Sequence, residues 1–135
     1  MNDKKSKSPI LVIGAIILTE GVYVIQFNNK LNAYAIPLGK VEKNELPENA
    51  LKREMFEELN IFVNQYKLLV ITNKRINDQE YVFYIYKIFF FTGIIINKEP
   101  EKHKSLNYMS KQTIDCFYKN KQFDSLSYDS INNLT

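Results

Sequence analysis

A chain of 135 residues, 45% of them apolar, can bury the core of one domain and is too apolar to be disordered. A net charge of +3 is too small to imply binding to nucleic acid or to a membrane. The single cysteine, Cys116, excludes an internal disulfide, and a reduced, cytoplasmic setting fits.

MNDKKSKS followed by ILVIGAIIL imitates a signal peptide. The apolar run reaches only about half of the roughly 20 residues a membrane helix needs, and no A-x-A-like site follows. A flexible tail over 1–8 and a buried first strand explain it better. Pro9–Leu18 and Val22–Asn28, separated by TEG, predict a hairpin. KLNA is a loop, YAIPLG a short extended piece, and Lys40–Leu46 a polar loop. Pro47 suits a first helical position, ALKREMFEEL continues with good helix formers, and Asn60 suits a left-handed cap. Phe62–Thr72 reads as extended and NKRINDQE as a polar turn region. Tyr81–Phe91 is the most strand-like stretch, expected to be central and buried on both faces. NKEPEKHKS is a charged loop, LNYM a short strand, SKQTIDCFYKN a helix capped by Ser110, and SLSYDSINNL a short terminal helix. Strands and helices in this order predict a mixed sheet covered by helices, in one domain over 9–135.

Six glutamates fall between Gly39 and Ile61, and Glu54, Glu57 and Glu58 crowd into five residues. Helical spacing puts these three on one face, beside an apolar stripe of Leu51, Met55 and Leu59. Each like-charge neighbour pair costs about 0.2–0.5 kcal/mol, and the helix C-terminus disfavours negative charge. Arg53 relieves Glu57 but cannot neutralise all three. A divalent cation would remove the conflict, and carboxylate oxygens suit Mg²⁺. By itself, such a stretch is better explained by a solvated acidic face.

Gly39, Glu45, Arg53, Glu54, Met55, Glu57, Glu58 and Ile61 stand at the spacing G-x5-E-x7-R-E-U-x-E-E-x-G-U, with U a bulky aliphatic residue. This resembles the Nudix box of the Nudix hydrolases, with Asn60 in place of the second glycine. GAIIL, YAIPLGK and EPEKHKSLNYM, which is similar to the EPEK segment of nucleotide-hydrolysing members, extend the resemblance over most of the chain. It implies an α/β fold of the Nudix type, an α/β/α sandwich around a mixed β-sheet. It also implies Mg²⁺- or Mn²⁺-dependent cleavage of a nucleoside diphosphate linked to another group. Glu57 and Glu58 are then metal ligands. Glu54 is a metal ligand or the base that activates water, so all three carboxylates are catalytic. The Gly39 carbonyl is a further ligand, and Glu99 or Glu101 supplies another carboxylate, with Glu101 preferred. Lys40 touches phosphate. Glu45 and Arg53 form a structural ion pair.

Several residues depart from the family pattern. Leu38 replaces a glycine, Leu46 a polar helix cap, Phe27 an arginine, and Tyr108 a tryptophan. Phe27 is expected in the core, Tyr108 as a packing residue, Cys116 as a packed thiol and His103 as an exposed loop residue. The leading expectation is a pyrophosphatase that cleaves a nucleoside triphosphate to the monophosphate and pyrophosphate, as a monomer or homodimer. A hydrolase of nucleotide sugars, ADP-ribose or dinucleotide polyphosphates is the second. A Nudix-like binding module without catalysis is the weakest, because Glu54, Glu57 and Glu58 are all present.

Overall fold

The computed structural model describes residues 7–133. Of the expected tail, residues 1–6 lie outside the described residues. Lys7, Ser8 and Pro9 have no regular structure, and the Ser8 carbonyl accepts a bond from Gln79 Nε2 at 3.0 Å.

The first apolar run forms β1 (Ile10–Thr19) and turns through Glu20 and Gly21, both at positive φ, into β2 (Val22–Asn28). Two short strands follow, β3 (Ala33–Ala35) and β4 (Leu38–Lys40). Helix α1 (Pro47–Leu59) leads into β5 (Phe62–Ile76), β6 (Gln79–Thr92) and β7 (His103–Met109). The chain closes with α2 (Lys111–Lys119) and α3 (Ser125–Asn132). The main sheet runs β3-β2-β1-β6-β5, with β4 added to β1 and β7 to β2. β1 and β6 are parallel and the other pairs antiparallel, so the sheet is mixed.

β1 is apolar without interruption because helices cover both of its faces. Ile13, Ala15 and Ile17 pack with Leu51, Met55 and Leu59 of α1. Val12 and Ile16 turn to the other side, where Ile114 of α2 and Ile131 of α3 join them. This gives the expected α/β/α sandwich. Pairing with β2 is confined to Leu18–Tyr23 and Thr19–Val22. Further back, the edge of β1 is taken by β4, with Ile13 opposite Gly39. The splayed hairpin thereby places the loop before α1 at the sheet's end.

Three local expectations change. The NKRINDQE turn shrinks to Asn77 and Asp78, both at positive φ, because the β5–β6 ladder continues to Ile76 and Gln79. β6 is central and buries Phe83, Ile85, Tyr86 and Ile88, but Phe89 and Phe90 are exposed. Cys116 is exposed, since α2 turns Ile114 to the core and Cys116 away.

Candidate active site

Helix α1 begins at Pro47 with no side-chain cap, because Leu46 offers no acceptor. Its end is closed by Asn60 in the left-handed conformation (φ 65°), as expected of the residue in the glycine position. Between these ends, Leu51, Met55 and Leu59 are fully buried on the sheet. Glu58 follows Met55 by three residues and is carried inward with them, to 2% exposure.

The three glutamates therefore do not share one environment. Glu54 and Glu58 line a cavity of about 510 Å³ together with Gly39, Lys40, Glu99 and Glu101. Its other wall is the end of β2 and the turn after it, Asn28, Asn29 and Lys30, with Leu38, Lys102 and His103 completing it. Glu57 is half exposed and accepts a bond from Arg53 Nη1 at 3.1 Å. Among the described residues no three acidic, histidine or cysteine side chains converge on one point. Gathering all the box carboxylates on one ion requires Glu57 to leave Arg53.

Arg53 is the hub of the box. Its Nε and Nη2 grip Glu45 in a two-pronged pair at 2.8 and 3.0 Å, Nη2 also donates to the Lys40 carbonyl at 2.9 Å, and Nη1 donates to Glu54 at 3.1 Å. Glu45 in turn accepts from the Glu42 amide at 2.9 Å. This arrangement pins the polar loop to α1, as expected for a structural ion pair. The guanidinium holds the Glu45 carboxyl below the ordinary carboxylate range, and Glu45 holds the Arg53 proton more tightly.

Gly39 has a steric reason. A Cβ on it would lie 2.3 Å from Glu54 Cδ, so glycine lets the carboxylate lie against the backbone of β4.

The fit to a cation rests on Glu58. Its Oε1 is buried without a hydrogen-bond partner. Burial raises its pKa well above the ordinary value, and the nearby charges of Glu54 and Glu99 raise it further. An unsatisfied buried carboxylate among like charges is the environment a divalent cation relieves, and an all-oxygen donor set suits Mg²⁺. Glu99 is likewise raised, chiefly by burial and then by Glu54, Glu101 and Glu57. Glu101 stands at the exposed rim of the same cavity. Both candidates of the EPEK segment thus face the site, and the electrostatic coupling to Glu58 belongs to Glu99.

Two other expectations fail. His103 is 4% exposed and begins β7, with Nε2 at 3.9 Å from Glu58 Oε1. Burial and Lys102 lower its pKa, which keeps it neutral, so this contact is no ion pair. Tyr108 is 51% exposed and does not pack as expected. Phe27 is half buried, meeting Tyr34 edge-on, with Lys104 Nζ at 4.9 Å from its ring centre. The cavity wall of Asn28, Asn29 and Lys30 falls, in the sequence, at the end of one apolar run and the start of a loop, and the doubled asparagine is its one signal.

A model of the NUDIX domain family matches residues 9–130. The chain is 30% identical over 118 residues to an 8-oxo-dGTP diphosphatase of Buchnera aphidicola subsp. Acyrthosiphon pisum (strain APS), covering 84% of this chain and 86% of that protein. Among solved structures it is similar to a MutT NUDIX hydrolase from Burkholderia pseudomallei, with a TM-score of 0.81 at 22% identity, covering 96% of this chain and 100% of the other. A MutT protein from Methanosarcina mazei Go1 gives a TM-score of 0.78 at 16% identity, covering 98% and 100%. The structural likenesses concern the fold, whereas the family match spans the box and both flanking layers. This chain therefore belongs to the Nudix family of hydrolases, which act on pyrophosphate bonds with the help of a divalent metal.

Proposed function

We propose that the protein is a Mg²⁺-dependent nucleoside triphosphate pyrophosphohydrolase that releases the monophosphate and pyrophosphate. The observation that carries this reading is the buried Glu58 carboxylate, its Oε1 without a partner, beside Glu54 in a cavity that also carries lysines. Glu54, Glu58 and the Gly39 carbonyl would hold the ion, joined by Glu57 once it leaves Arg53, and by Glu99 or Glu101 from the opposite loop. A bound divalent ion neutralises the diphosphate and lowers the pKa of a bound water. Lys40 at the rim meets phosphate oxygens, and Lys30 and Lys102 add positive charge to the same cavity. A box carboxylate takes the proton of the attacking water as the new oxygen–phosphorus bond forms. The bond from phosphorus to the bridging oxygen breaks, and pyrophosphate leaves.

The name of the Buchnera relative makes 8-oxo-dGTP the first substrate to try. Pyrophosphate release is measured with Mg²⁺ across ordinary and oxidised ribo- and deoxynucleoside triphosphates, with Glu58→Gln as the blank. Release confined to the wild type is the expected result. Release from nucleotide sugars, ADP-ribose or dinucleotide polyphosphates alone would replace the triphosphate reading, and equal release by the variant would end the metal assignment.

A further inference from the structure

Glu58 and His103 are two buried side chains that line the same cavity, and Glu58 Oε1 and His103 Nδ1 lack hydrogen-bond partners. Glu58 Oε1 has no hydrogen-bond partner, and His103 Nε2 stands 3.9 Å from it. That gap is too long for a direct hydrogen bond. A rotation of the carboxylate toward His103 would close it. A buried carboxylate oxygen left unmatched costs free energy, and His103 presents its Nε2, not the orphaned Nδ1, to Glu58 Oε1.

The backbone goes to some length to keep His103 there. Gln26 of β2 pairs with Leu106 and Asn28 with His103, so two steps on β2 match three on β7. The ladder is bulged at Phe27/Asn28, leaving Lys104 as the extra residue. Without the bulge, the alternation of β7 would turn His103 to the opposite face from Leu106. Asn29 fastens this irregular stretch. Its amide donates to the Lys102 carbonyl at 3.0 Å, its Nδ2 donates to the Glu101 carbonyl at 3.0 Å, and its Oδ1 accepts from the Lys104 amide at 3.2 Å. Asn97 Nδ2 also donates to the carbonyl of His103 itself, at 2.8 Å.

From this geometry we infer that His103 is a positioning residue, whose Nε2–H orients the Glu58 carboxylate for the metal ion. The inference rests on the metal reading proposed above. As a neutral imidazole with the proton on Nε2, His103 donates to one lone pair of Glu58 Oε1, and the carboxylate keeps its remaining lone pairs for the cation. Outer partners of this kind fix the orientation of metal-binding carboxylates.

The test compares His103→Leu, which fills space without a donor, with His103→Gln, whose Nε2 reaches about as far as that of histidine. Mn²⁺ binding to the protein without nucleotide is followed by electron paramagnetic resonance, and thermal unfolding is recorded for each variant. His103→Leu is expected to weaken Mn²⁺ binding about tenfold, the lower end for an outer partner of a metal. His103→Gln restores most of it. In turnover, kcat falls for His103→Leu while the nucleotide KM holds. Wild-type Mn²⁺ affinity in both variants, or equal loss in both, would overturn the inference and leave His103 as packing. Should His103→Leu not fold, His103→Asn replaces it, with a donor too short to reach Glu58. Asparagine performing as well as glutamine would also overturn the inference. Because Mn²⁺ binding is read without substrate, a wrong choice of nucleotide leaves this test intact.

Discussion

Glu54 and Glu58 are separated by one helical turn and live in different chemistry. Glu54 keeps one oxygen on Arg53, whereas Glu58 has lost water and gained no replacement at Oε1. Gly39 lies against Glu54, where even a methyl group would meet the carboxylate. Gly39→Ala is therefore a test of the site rather than of the fold. Displacing Glu54 should lower Mg²⁺-dependent turnover by about tenfold or more, in the range seen when a metal's surroundings are disturbed. The unfolding midpoint should move little, because the group that yields is the end of a flexible side chain. Turnover at the wild-type rate in Gly39→Ala would show that Glu54 is dispensable where it now lies.

At the scale of elements, α1 does two jobs with one surface. Its apolar stripe anchors it to β1, and Glu58, carried on the same stripe, is driven into the interior with it. The anchoring is strong enough to accept a poor start, since Leu46 caps nothing and is itself 59% exposed. Leu46→Ser is expected to stabilise the protein by about 1 kcal/mol, the usual worth of an N-cap side chain. Chemical denaturation would show it as a higher midpoint at unchanged slope, with turnover unaffected. α2 and α3 make the contrast, with Ser110 and Asp124 accepting from Thr113 and Ser127 as caps should. A destabilised Leu46→Ser protein would mean that Leu46 packs in a way its exposure does not suggest.

The whole molecule bears the consequence of the buried acid. Without metal, the fold favours protonated Glu58, whose raised pKa reflects burial first and then Glu54 and Glu99. The stability this contributes is fully present below the ordinary glutamate pKa. It is lost as pH rises through the raised value, because the folded protein must then charge a buried group. In chelator, the unfolding midpoint should accordingly fall as pH rises above the ordinary glutamate range toward the raised value. Mg²⁺ should raise the midpoint, and more so at the higher pH, because carboxylate ligands bind the ion deprotonated. Glu58→Gln should flatten both trends, as read by a thermal scan at each pH with and without Mg²⁺. An unchanged slope in the variant would assign the trend to other groups.

Much of this protein was legible in its residues one at a time or in short register. The spacing from Gly39 to Ile61, the apolar stripe of α1, the αL cap at Asn60 and the Ser110 cap all follow from local geometry that neighbours in sequence determine among themselves. The two-sided burial of β1 was likewise written in its unbroken apolar run. What only the tertiary structure decided depends on residues far apart in the chain. Helical spacing puts Glu57 and Glu58 side by side, but the sheet beneath α1 sends one inward and leaves the other with Arg53. His103 reads as an exposed loop residue until the bulge against β2 turns it toward Glu58, because register across a ladder is a property of two strands and not of either alone. Cys116 and Tyr108 were misplaced for the same reason: exposure depends on what the rest of the fold covers, and no neighbouring residue specifies that.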